Sequence, residues 1–88
     1  MNVNQLTKSY IKDMFRIIKK YHLSEIRVNI IGYEIIFVEG DDYRIIVLND
    51  DGKIQKVFIN KDLKLLLDEF ENSSYYMAKI KRRINNGD

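Results

Sequence analysis

EIRVNIIGYEIIFVEGDDYRIIVLNDDGKIQKVFIN, residues 25–60, decides the fold. Ile, Val, Phe and Tyr dominate it, and three turn signals punctuate it at Gly32, at Gly40-Asp41-Asp42 and at Asn49-Asp50-Asp51-Gly52. The pattern predicts four short strands over 25–31, 34–39, 43–49 and 54–59. Gly32-Tyr33 suits a two-residue hairpin turn with glycine first, which sets Ile30 opposite Ile35 and Val28 opposite Phe37. If Gly32 only kinks one long strand, three strands remain. Asn first and Gly fourth in 49–52 suit a type I turn followed by a left-handed glycine. Connections this short require antiparallel neighbours, hence a meander.

Ile35-Ile36-Phe37-Val38 and Ile45-Ile46-Val47-Leu48 are apolar at successive positions. A sheet with one wet face alternates apolar with polar residues. Both faces are therefore expected to be covered at the centre, by helices on both sides, by a second subunit or by a partner.

Outward from the strands the period changes to that of a helix. Between Asn4 and His22 the residues Leu6, Tyr10, Met14, Ile17, Ile18 and Tyr21 recur at steps of three and four, widened by Ile11 and Phe15. Asn4 is the expected N-cap, and Lys19, Lys20 and His22 end the helix where positive charge is favoured. After the strands, Asn60 is the expected cap of a helix with Leu63, Leu66, Leu67 and Phe70 on one face. A break at 71–74 precedes a second helix over 75–84, with Tyr76, Met77, Ile80 and Ile84 on one face. The expected class is α+β: an N-terminal helix, an antiparallel four-strand meander (three-strand in the kinked alternative) and two C-terminal helices. Eighty-eight residues suit a single domain over 1–88, with 85–88 as a frayed tail.

The chain has no cysteine, which excludes disulfides and thiolate metal sites and favours the cytoplasm. No run approaches the roughly 20 apolar residues of a membrane span. Lys8, Lys12 and Arg16 interrupt any signal-peptide core. The net charge of +2 is unevenly spread: +4 over residues 1–24, −3 over 25–60 and +1 over 61–88.

No constellation for chemistry stands out, so the chain is expected not to be an enzyme and to need no cofactor. His22 is the only histidine. Ser24 and Glu25 are near it, but all three sit at a helix-to-strand turn, and a helix-end role is expected. One histidine without cysteine makes a zinc site improbable. Asp41-Asp42 and Asp50-Asp51 fall at opposite ends of one strand, roughly 20 Å apart at about 3.3 Å per residue, so they act as turn residues. The four glycines are isolated and form no phosphate loop. The charged cluster of interest is Lys79, Lys81, Arg82 and Arg83, with Lys19 and Lys20 as additions; such a cluster can neutralise phosphates or meet a partner.

The element order resembles that of small phage-encoded inhibitors, including some anti-CRISPR proteins. The opening Met1-Asn2-Val3-Asn4 with Leu6 also resembles the start of one such inhibitor. The resemblance implies a phage or mobile-element protein that occupies the surface of a protein or nucleoprotein partner. DNA mimics of that group are strongly acidic and this chain is net basic, so mimicry does not follow and no inhibitor residues carry over. Two other functions remain open: a nucleic-acid-binding module using the basic C-terminal helix, and a homodimer that buries the second sheet face.

Overall fold

The computed structural model describes residues 8–30 and 32–73. The elements run α1 (Lys8–Tyr21), β1 (Glu25–Ile30), β2 (Tyr33–Glu39), β3 (Tyr43–Leu48), β4 (Ile54–Asn60) and α2 (Leu63–Asn72). The strands form one open antiparallel sheet in the order β1-β2-β3-β4, so every pairing joins neighbours in sequence. The α+β class and the four-strand meander hold, and the kinked three-strand alternative does not. The expected cap Asn4, the second C-terminal helix over 75–84 and the tail at 85–88 lie outside the described residues.

The first hairpin is displaced from its expected register. Ile30 pairs with Tyr33, Val28 with Ile35 and Ile26 with Phe37. The connection is therefore 31–32, and Gly32 takes its second position with φ 82, in the left-handed region that glycine enters without a Cβ clash. The pairing differs by two residues, which leaves every side chain on its expected face. The third turn forms as its sequence demands. Gly52 N–H donates to the Asn49 carbonyl (3.0 Å), and Gly52 has φ 78. Asn49 Oδ1 accepts from the N–H groups of Asp51 and Lys53, both at 2.9 Å. Past this turn Val47 faces Lys56 and Leu48 faces Ile54, so the ladder carries an irregularity at Gln55.

Ile26, Val28, Ile30, Tyr33, Ile35, Phe37, Tyr43, Ile45, Val47 and Phe58 occupy one face, and both helices pack on it. α1 lies over β1 and β2, while α2 lies over β3 and β4. Phe15 packs edge-to-face on Phe37 and Tyr43 (centroids 5.7 and 5.2 Å), and Phe58 does the same on Phe70 (5.2 Å). On α1 the buried line is Ile11, Phe15 and Ile18, with Tyr10 and Met14 beside it and Tyr21 exposed. Of the expected stripe, Ile18 is buried and Tyr10 and Met14 border the core, while Ile11 and Phe15, expected to widen it, are fully buried.

The start of α2 and the end of α1 are set by specific bonds. Asp62, rather than the expected Asn60, caps α2: its carboxylate accepts from the N–H groups of Lys64 (2.9 Å) and Leu65 (3.3 Å). Asn60 Oδ1 instead accepts from the Asp62 N–H at 2.9 Å and orients the cap. α1 ends at His22, which has φ 55. Leu23 N–H reaches the Ile18 carbonyl (3.0 Å) and His22 N–H the Lys19 carbonyl (3.4 Å), the two bonds of a left-handed helix stop.

Candidate functional site

Both described helices lie on one face of the sheet, and the expected helix over 75–84 lies outside the described residues. The other face carries the alternate residues of each strand. Pairing places Arg27, Ile36, Ile46 and Val57 in one row across it. Glu25, Val38, Arg44 and Ile59 form the next row, and Asn29, Glu34, Leu48 and Ile54 the third. The apolar part is exposed towards β4: Ile54 is 63%, Ile59 48% and Val57 37% accessible. Ile36, at 6%, is buried and lies outside the core cluster.

The border of this face is charged and internally paired. Arg27 donates to Glu25 and, at 2.9 Å, to Glu34. These carboxylates hold the guanidinium above its ordinary pKa. Arg44 grips Asp42 through Nε–Oδ1 (2.7 Å) and Nη2–Oδ2 (3.4 Å). That hydrogen bond is the main cause of the lowered Asp42 pKa, opposed by desolvation and aided by the charges of Arg44 and Lys61. An apolar centre bordered by satisfied charges is the composition of a non-obligate protein interface.

β4 is also an edge strand, and its apolar residues border a second feature. A groove of about 740 Å³ lies between β4 and α2, lined by Lys56, Val57, Ile59, Leu65, Glu69 and Ser73 among others. β1, the opposite edge, presents Glu25, Arg27 and Asn29 on the outer face, the charged kind of edge that resists added strands. The two edges are therefore chemically unequal.

The residues singled out in the sequence are dispersed. Lys79, Lys81, Arg82 and Arg83 lie outside the described residues. Lys19 Nζ donates to Tyr43 Oη at 2.8 Å, which raises its pKa. Lys20 stands 5.4 Å from the centroid of the Tyr21 ring. His22 is exposed and closes α1, and Glu25 is taken by Arg27, so no carboxylate orients the imidazole through that residue. Asp41-Asp42 and Asp50-Asp51 flank β3 at opposite ends. Among the described residues no group of three His, Cys, Asp or Glu side chains could hold a metal ion. Among them, too, no helix is long and apolar enough to cross a membrane.

Ile54, Val57 and Ile59 were missed as site residues in the sequence. Their signal was the run Val57-Phe58-Ile59, in which three successive apolar residues must place some on the face opposite α1 and α2. No family model, curated protein or solved structure matches this chain.

Proposed function

We propose that this chain is a non-enzymatic protein-binding domain that receives an extended segment of another protein along β4. The observation that carries the reading is the exposure of Val57, Ile59 and Ile54 beside an edge strand that borders a groove. An added strand would take its affinity from main-chain hydrogen bonds and its specificity from alternate side chains, which Val57 and Ile59 would meet on the outer face. The layout's resemblance to small phage-encoded inhibitors points such binding towards inhibition of a protein or nucleoprotein partner.

A second copy of the chain is the weaker occupant. Four strands about 4.8 Å apart and six residues at about 3.3 Å give the outer face a footprint of roughly 400 Å². Two such faces together bury roughly 800 Å², below the ~1,200 Å² at which stable interfaces begin. Lys56 on the edge of both copies also disfavours their pairing.

The test is capture from nuclease-treated host lysate with the full chain and with Ile59→Lys. The expected result is a protein that, once identified and purified, binds the parent chain and loses at least tenfold in affinity for Ile59→Lys. Equal binding of the two chains overturns the reading. So does a parent chain that scatters light as a dimer at micromolar concentration while Ile59→Lys is monomeric, which assigns the face to self-association.

A further inference from the structure

The helix layer carries a surface of a different chemistry. Lys8, Lys12, Arg16 and Lys19 recur along α1 at steps of four, four and three. At about 100° and 1.5 Å per residue they fall within about 80° of the helix circumference, with neighbours roughly 4.5–6 Å apart along the axis. Asp13 is the one acidic residue of α1.

The row does not stand on an open convex surface. Lys8, Lys12 and Ser9 form one wall of a groove of about 610 Å³, and Lys64 and Asp68 of α2 form the other. Beyond Lys12 and Asp13 a second hollow of about 270 Å³ continues along α1, lined by Arg16, Lys19, Tyr43, Phe15 and Leu63. Cations thus stand on both walls and outnumber the lining acids Asp13 and Asp68, and an excess of one sign in a cleft attracts the opposite charge.

The acids within the groove are already engaged. Asp68 accepts from Lys8 at 2.6 Å, and Asp13 lies 3.5 Å from Arg16. Among the described residues Lys12 and Lys64 enter no salt bridge, and Lys19 donates to the Tyr43 hydroxyl. The local excess is positive, and a row of cations on one helix face can neutralise phosphates along a strand. A bilayer surface is the poorer fit, because the apolar face of α1 is spent on Ile11, Phe15 and Ile18 in the core and cannot enter lipid.

We propose that the α1–α2 groove binds the sugar–phosphate backbone of a nucleic acid, with Lys12, Arg16, Lys19 and Lys64 on its phosphates. The contact is sequence-independent and does not depend on the use of the outer sheet face.

Fluorescence anisotropy of the full chain with a labelled 20-base-pair DNA duplex, and with an RNA duplex of the same sequence, tests it. Four phosphate contacts predict a log–log salt slope of about −3.6, roughly a 150-fold loss of affinity between 50 and 200 mM salt. Lys12→Glu/Arg16→Glu should bind at least about tenfold more weakly at 50 mM salt and flatten the slope by about 2. Lys64→Glu should repeat the effect from the opposite wall with a change of about 1. Lys53→Glu/Lys56→Glu changes net charge equally, away from the groove, and should leave most of the affinity. Ile59→Lys should leave it intact, so this test and that of the outer face fail separately. The proposal is overturned by no binding to either duplex at 50 mM salt, or by equal losses in the two double variants. It is also overturned by undiminished binding of Lys12→Glu/Arg16→Glu, which would move the contact elsewhere, Lys79–Arg83 included. Tighter binding to phosphatidylserine vesicles than to either duplex has the same consequence.

Discussion

Adjacent residues of β4 should differ sharply in what their truncation costs. Phe58 is 5% exposed and packs on Phe70, whereas Ile59 points the other way and is 48% exposed. Phe58→Ala removes a buried ring and leaves a cavity, a loss of about 3–5 kcal/mol. A chain of this length has roughly 4–13 kcal/mol in all. At about 4–8 °C per kcal/mol the melting temperature should fall by at least about 12 °C, or the cooperative transition should vanish. Ile59→Ala removes a side chain that is half in water already, so about 1 kcal/mol and roughly 4–8 °C are expected. Urea and thermal melts followed by far-ultraviolet circular dichroism, at two protein concentrations tenfold apart, measure both. Equal losses for the two variants would refute the reasoning, because they would mean that β4 is slipped by one residue or that its outer face is covered in the free chain. A loss at Ile59 that grows with concentration would identify the cover as a second copy.

Three further outcomes are expected. Asp62→Ala leaves the first N–H groups of α2 without their acceptor and should cost about 1 kcal/mol in a urea melt, while Asp62→Ser should restore most of it. Gly52→Ala meets no steric neighbour but forces a side chain to φ 78, so it should cost about 1 kcal/mol through the backbone alone. The Asp68 pKa is lowered, chiefly by its hydrogen bond from Lys8, so its contribution is present above the ordinary carboxylate value near 4 and lost as pH falls through the lowered one. The melting temperature of Asp68→Asn should therefore lie below the parent's at pH 7 and converge with it as pH falls through the lowered Asp68 pKa.

The sheet was legible because its signals are local. Turn residues at 49–52 and unbroken β-branched runs leave few other structures open. The face assignment survived a wrong hairpin register, since a two-residue displacement preserves the pleat. The α2 cap was not legible in the same way. Asn60 and Asp62 are both good capping residues, and only the accepted N–H groups separate the cap from its support. The placement of both helices on one face could not be read either. A broad apolar stripe says that a helix is buried, not on which side of the sheet. The outer-face site inherits that limit: over-apolar strands announced a second face, but its exposed part became visible only once α2 had been placed on the first. The basic row on α1 was present in the sequence as scattered lysines, and its meaning depended on Lys64 arriving opposite.

A sheet whose every pairing joins neighbours in sequence also sets an order of assembly. Each hairpin closes a short loop, so the four strands can zip in succession with little entropy lost at each step. The junction of α1 with α2 is different, since Lys8 and Asp68 are 60 residues apart. That contact gains nothing until the strands between have formed, so its loss should quicken unfolding and leave the folding rate nearly unchanged. The closing of the helix pair is thereby the latch of the domain, and the same late event brings the cations of the two helices to face each other.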